Sequence, residues 1–173
     1  THNPDRYHIT WDAGAITAGF TNVTSAPLSA SAGTLTLTVP GTAAAGNYSG
    51  ILTVGNGDCG SIGYNFEVIV HPVPPAVVTP AGPIEICFGD SVQLDAGAPQ
   101  AGYTYLWRSG TTPVGSNSPT YMADTTGDYT VIVDNGHCAD TSLIVSVTWH
   151  PRPDVTITPG DTAFCEGGKV ILQ

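Results

Sequence analysis

A repeat of just under eighty residues runs through this chain, and it begins and ends in mid-period. NGDCGSIGYNFEVIVHP from Asn56 matches NGHCADTSLIVSVTWHP from Asn135, 79 positions on, with Asn, Gly, Cys, His and Pro coinciding. GNYSGILTV from Gly46 and GDYTVIV from Gly127 share a Gly-x-Tyr followed by an alternating apolar run. Upstream, Tyr7-His-Ile9-Thr-Trp11 matches Tyr103-Thr-Tyr105-Leu-Trp107. A second match, 78 positions apart, sets PAVVTPAGPIEICFGDSVQLD from Pro75 on PDVTITPGDTAFCEGGKVILQ from Pro153. Cys87 then falls on Cys165, Val92 on Val170 and Leu94 on Leu172. Self-similarity at a fixed period calls for a series of like modules. Each one needs a Trp-bearing strand, a Tyr-bearing strand, an Asn-Gly hairpin turn and a last strand ending in His-Pro.

The phase of the repeat sets the expected domains. Residues 74–150 hold a complete repeat and read as one immunoglobulin-like β-sandwich of about seven strands. Residues 1–71 start at the Trp strand and lack their first strands; residues 154–173 contain opening strands and nothing after them. Running Gln173 into Thr1 places Tyr7 eight steps after Leu172, against nine from Leu94 to Tyr103, and the seam falls in a polar, proline-containing HNPD turn. The chain therefore reads as one period of a longer array. One domain is split between its two ends, with residues 154–173 expected to complete residues 1–71 of a neighbouring copy.

The runs between repeats are rich in Val, Ile, Thr and Tyr and are broken by 21 Gly and 14 Pro, which suits an all-β fold of short strands and tight turns. Helix signals are almost absent; the best, Thr42 to Gly46, is too short to matter. Fourteen acidic side chains against four basic ones leave a net charge of −10. Nucleic-acid binding needs clustered Lys and Arg, and there are too few to cluster; an electrostatic hold on anionic membranes fails for the same reason. No apolar run reaches spanning length, so membrane insertion is not expected. The chain opens on Thr and carries no signal peptide, as expected of a processed product, an excised piece or one unit of something longer.

The ordered set Cys87-Phe-Gly-Asp-Ser-Val-Gln-Leu94, Tyr105-Leu-Trp107, Gly127-Asp-Tyr129-Thr-Val131 and Asn135-Gly-His-Cys138 resembles the tandem Ig-like and PKD-like repeats of large secreted proteins of Bacteroidetes. The stretch from Tyr7 through WDAGAITAGFTN to VPGTAAAGNYSGILTV looks like the longer PKD-like variant. The resemblance implies extracellular or cell-surface arrays, including adhesins and gliding-associated proteins, and names no ligand.

Read from the residues, Trp11 and Trp107 are core plugs between two sheets. Tyr48 and Tyr129, two residues after a Gly, resemble tyrosine corners with buried ring and backbone-bonded hydroxyl. Four cysteines in such a chain favour an oxidising compartment, and three pairings are open. Cys87–Cys138 is favoured because the complete repeat holds only those two; Cys59 would by the same logic pair with Cys165 across the seam between copies. One objection stands. In a simple immunoglobulin topology these two positions tend towards opposite poles. A bridge closing that roughly fifty-residue loop stabilises by around 4 kcal/mol in the chain-entropy model.

Functional constellations are sparse. His71 and His150 sit in Val-His-Pro and Trp-His-Pro linkers and read as spacers; His2, His8 and His137 are isolated and carry no triad signature. No metal-ligand spacing links Cys and His. Asp124, Asp128 and Asp134 are the closest candidates for Ca²⁺, without EF-hand spacing, and no other cofactor is expected. Asn22-Val-Thr24 and Asn47-Tyr-Ser49 fit the N-glycan sequon. Ser91, Thr125 and Thr162 follow Asp in the short O-glycan acceptor pattern of the same bacteria. The expected role is a non-catalytic structural repeat of an extracellular fibre, stalk or filament, partnered head-to-tail by copies of itself, either within one polypeptide or by strand addition. The alternative is an adhesin or carbohydrate-binding accessory module, met by a surface glycan or protein receptor. Exposed aromatics would mark it, with Tyr103, Tyr121 and Phe20 as candidates.

Overall fold

The computed structural model describes residues 4–28, 34–56, 59–155 and 166. The chain divides into two compact units, Thr1–Pro74 and Pro75–Gln173, with the division inside the proline-rich linker that follows His71. Strands dominate both, as their β-branched and aromatic content requires.

The second unit is a closed two-sheet sandwich. Its larger sheet contains β5 (Ile84–Cys87), β7 (Thr104–Ser109), β8 (Thr112–Val114), β10 (Gly127–Asp134), β11 (Ala139–Thr141) and β12 (Val145–His150), in the order β5-β12-β10-β7-β8 with β11 also on β10. The smaller sheet pairs β6 (Val92–Asp95) with β9 (Thr120–Ala123) and is extended by a bridge between Thr79 and Asp95. Alternation along the strands sends Tyr105 and Trp107 of β7 and Tyr129, Val131 and Val133 of β10 inward. Leu94, Ala123, Ala76 and Val78 meet them from the other side. Trp107 and Leu94 are both 0% exposed. At order-of-magnitude transfer energies, each such side chain contributes about 2 kcal/mol or more.

The first unit has one sheet only among the described residues. It comprises β1 (Arg6–Trp11), β2 (Val23–Pro27), β3 (Gly46–Gly55) and β4 (Tyr64–Val70), ordered β2-β1-β3-β4 and antiparallel throughout. Trp11 stands opposite Gly50 in β3, and Trp107 opposite Val131 in β10, each two residues after the strand's tyrosine. The register of the two repeats is therefore the same. Gly50 is needed where it is. A Cβ there would come within 2.5 Å of the Phe66 ring, which fills the space over the strand and packs edge-on to Trp11.

The helix lies elsewhere than the sequence signal suggested. Thr42 ends a turn closed by the Ala43 amide on the Pro40 carbonyl and Gly46 already begins β3, whereas α1 occupies Ala13–Thr17, directly after the Trp strand. Asp12 caps it, its Oδ1 accepting from the Ala15 amide at 2.7 Å. That cap, followed by Ala-Gly-Ala-Ile, was a readable signal in a stretch too short for periodicity.

Candidate functional site

The same face of the repeat is treated differently in the two units. In the second, the inner face of β7 and β10 is covered by β6, β9 and the Ala76–Val78 segment, and its residues are buried almost without exception. In the first, the corresponding face is formed by Tyr7, Ile9 and Trp11 of β1, Leu52 of β3 and Tyr64, Phe66 and Val68 of β4. Its cover is α1, Phe20 and the 35–43 segment. Among the described residues only Ile9, Trp11, Ala15 and Phe20 are buried in that cluster, and Tyr64 is left 57% exposed. A cleft of ≈ 170 Å³ opens there, lined by Ile9, Leu35, Leu37, Leu52, Tyr64 and Phe66.

Residues 35–39, LTLTV, form the lip of this cleft. Leu35 and Leu37 are half-buried against the face while Thr36 and Thr38 are exposed, a period of two that suits a strand. The segment belongs to no sheet among the described residues. In the second unit the strand in the matching place is β9, which pairs with β6 through Val92↔Ala123 and Leu94↔Tyr121. The sequence equivalents of Val92 and Leu94 are Val170 and Leu172, which lie outside the described residues. The expectation that residues 154–173 form opening strands likewise falls outside them, apart from Asp154, Val155 and Glu166.

The four aromatic residues singled out from the sequence sit in these two cores. Trp107 donates from its indole N–H to the Ser118 carbonyl at 2.9 Å. Trp11 lies against Phe20, with ring centroids 4.4 Å apart. Tyr129 is buried and donates its hydroxyl to the Thr125 carbonyl at 2.9 Å, with Thr125 Oγ1 at 2.8 Å. Tyr48, half-buried, makes the matching bond to the Ala44 carbonyl at 2.8 Å, again four residues back. Tyr121 stacks between Trp107 and Tyr129, and burial, then the neighbouring Tyr129 and Asp124, raise its phenol above the ordinary value. Tyr129→Phe removes the corner bonds while keeping the ring. It is expected to cost the second unit about 1–2 kcal/mol, read as a lower urea midpoint with an unchanged slope.

A serine in each repeat went unnoticed in the sequence. Ser142 accepts from the Val131 amide through Oγ at 3.0 Å, and its own amide donates to the Val131 carbonyl at 2.9 Å. Ser61 does the same to Val54, at 3.0 and 2.7 Å. Each satisfies a strand amide and carbonyl where the neighbouring strand is interrupted, Ser142 between β11 and β12 and Ser61 ahead of β4. Ser61 stands two residues after Cys59 and Ser142 four residues after Cys138, so the 79-position match does not superpose them and gave no signal.

The cysteine pairing needs correction. Cys87 and Cys138 are not bonded to each other. Cys87 ends β5 opposite His150 of β12, whereas Cys138 follows the turn at the far end of β10, where Asp134 faces Ala139. With Gly127 of β10 opposite Val147 of β12, the two lie on the order of 30 Å apart at ~3.4 Å per residue. A disulfide needs Cα atoms within about 7 Å. The topological objection prevails because β5 runs parallel to β12 and ends at the opposite pole from the Asn135–Cys138 turn. Cys59 is exposed and unbonded, and its expected partner Cys165 lies outside the described residues.

The remaining candidates are dispersed. Asp128 accepts from Ser146 Oγ at 2.6 Å at one end of β10, and Asp134 accepts from the Gly136 amide at 2.6 Å at the other. Asp124, Asp128 and Asp134 therefore do not converge, and no group of three metal-ligating side chains occurs among the described residues. His8 Nδ1 accepts from the Ser25 amide, and His150 faces Glu85 at 3.5 Å in an exposed pair. His71 and His137 lie in the linker and a turn; His2 lies outside the described residues. Asn22 uses its side-chain oxygen to accept from the Trp11 amide at 2.8 Å, and Asn47 is exposed. Ser91 is exposed beside the Cys87–Asp90 turn; Thr125 Oγ1 is engaged by Tyr129; Thr162 lies outside the described residues. Phe20 is buried in the first core, and Tyr103 and Tyr121 are half-buried against the second. Among the described residues no helix is long and apolar enough to cross a membrane.

No protein-family profile matches the chain, and no curated protein does. Solved structures give distant likenesses. The N-terminal four Ig domains of Dscam1 isoform 1.9 align at 14% identity and TM-score 0.39, over 84% of this chain and 37% of that one. Those of isoform 6.9 align at 18% identity and TM-score 0.36, over 61% of this chain and 27% of the other. The chain thus spans little more than a third of these relatives at most. At such scores the assignment to Ig-like sandwiches rests on strand order, register and core, as described above.

Proposed function

We propose that this chain is a non-catalytic structural repeat of an extracellular fibre or stalk, in which residues 154–173 of one copy complete the open sandwich of residues 1–71 in the next. The observation that carries this is the half-covered apolar face of the first unit, with the unladdered 35–39 segment at its lip and its covered counterpart in the second unit. An exposed apolar face of this kind either binds a partner or promotes aggregation. The chain's own repeat supplies a segment of the right pattern, since Val170 and Leu172 match Val92 and Leu94 of β6. Completion would proceed along one continuous polypeptide or by strand addition between separate subunits. Modules stacked in this way put stability into each repeat and its neighbour interface, and proline-rich linkers such as His71-Pro-Val-Pro-Pro75 limit bending. The adhesin alternative has less support, because Phe20, Tyr103 and Tyr121, the aromatics expected to mark it, pack against the cores.

A peptide of residues 154–173 added to the chain tests the reading directly. The expected result is a higher melting temperature for the first unit, growing with peptide concentration as binding to the folded state requires. The same peptide carrying Leu172→Asp should give no shift. If the native peptide gives none either, the completion reading fails.

A further inference from the structure

The two cysteines of the second unit lie at opposite poles, and this assigns them a different task from closing a loop. The chain enters the second unit at Ala76–Thr79, where Thr79 and Asp95 exchange backbone hydrogen bonds of 2.8 and 2.9 Å. The loop from Asp95 leads straight to Thr104, which faces Asp134 at the end of β10. The Asn135–Cys138 turn therefore belongs to the entry pole. The chain leaves at His150, which pairs with Cys87, so that Cys87 belongs to the exit pole.

The exit is held in place around this thiol. The Phe88 amide donates to the His150 carbonyl at 2.8 Å, and the Phe88 ring packs edge-on to Trp149 at 5.1 Å. Arg152, in the outgoing linker, donates to the Phe88 carbonyl at 3.0 Å and to Asp90 at 3.2 Å. Linker and Cys87 turn thus leave the pole side by side. By the repeat alignment only Pro151, Arg152 and Pro153 separate β12 from the start of the next sandwich. Three residues span at most about 10 Å. The entry pole of whatever follows must come close to Cys87.

That following pole carries a matching thiol. Cys59 in the first unit closes β3 as Cys138 closes β10: the Asn56 side chain accepts from the Cys59 amide at 3.0 Å, and Asn135 from the Cys138 amide at 2.8 Å. Cys59 and Cys87 are both exposed. We propose that Cys87 of one copy forms a disulfide with Cys59 of the copy that follows it, stapling successive sandwiches pole to pole. This rests on the head-to-tail reading above. The oxidant is a low-molecular-weight disulfide such as oxidised glutathione. One protein thiolate attacks it and expels a first thiol. The second protein thiolate then displaces the other, so two protein thiols lose two protons and two electrons and two small thiols are released. The staple would resist pulling along the array axis, which a bridge inside one sandwich would do only after that sandwich opened.

The test uses the full chain at high concentration with glutathione disulfide, followed by non-reducing electrophoresis and mass spectrometry of the linked peptides. The expected result is a ladder that collapses on reduction, with Cys87 linked to Cys59, and with rungs at that bond lost equally in Cys87→Ser and Cys59→Ser. Cys87–Cys138 or Cys59–Cys165 linkage, or Cys87 remaining a thiol, would overturn it. Hydrogen exchange of β3 and β4 on the same samples separates the two readings. Protection that rises with concentration in Cys87→Ser as in the unsubstituted chain keeps the head-to-tail reading alone if the staple fails; no such rise means that reading has failed as well.

Discussion

Replacing Trp107 by alanine is expected to destabilise the second unit by about 3–5 kcal/mol, the cost of emptying a large buried aromatic site that its surroundings cannot refill. Trp107 is fully buried, stacks on Tyr121 and spends its indole N–H on the Ser118 carbonyl. The loss therefore combines a cavity with an orphaned acceptor. For a domain of this size that lowers the melting temperature by roughly 15–30 °C, against a total stability of about 5–15 kcal/mol. Trp107 packs in the core cluster of its own unit alone. Calorimetry should thus show the second unit's transition displaced and the first unit's left where it was. Equal displacement of both would mean the two cores are not independent.

The sandwich of the second unit was legible because its signals agree. The Trp strand, the Gly-x-Tyr strand and the Asn-Gly turn each imply the same neighbours, and β7, β10 and β11 pair accordingly. What escaped were features that depend on tertiary context. α1 is a single capped turn, below the length at which periodicity speaks. The place of residues 35–39 at the lip of the first unit's open face is invisible in the sequence, and β9, paired with β6, shows what the matching segment does in the second unit. The cysteine pairing went wrong for a physical reason: counting two thiols per repeat assumes they belong together, whereas β5 parallel to β12 sends Cys87 to the pole opposite Cys138. Asp124, Asp128 and Asp134 looked close in sequence, yet a strand lays successive residues out at ~3.4 Å each and pulls such a group apart. The candidate binding aromatics pack on the cores instead, Phe20 against Trp11, Tyr121 against Trp107 and Tyr103 at the rim of the second core.

In the proposed array, the first unit is half of a sandwich whose other half is the segment 78 positions past β6 in the repeat. Joining two full copies through a Gln173–Thr1 peptide bond creates one internal seam. In the copy before that seam, residues 1–71 keep their open face; in the copy after it, the same residues meet a covalently attached 154–173 segment. Covering Leu52, Tyr64 and Phe66 should stabilise that internal unit by about 3 kcal/mol or more, since each large side chain taken out of water contributes about 1.5–3 kcal/mol and these are already partly covered. Exchange from its core amides then slows roughly a hundredfold. The most direct measurement is hydrogen exchange of β3 and β4, resolved between the two copies by isotope-labelling one of them and carried out at a dilution where separate chains do not associate. Strong protection of β3 and β4 in the second copy with weak protection in the first is the expected result. Equal exchange in the two copies would contradict it.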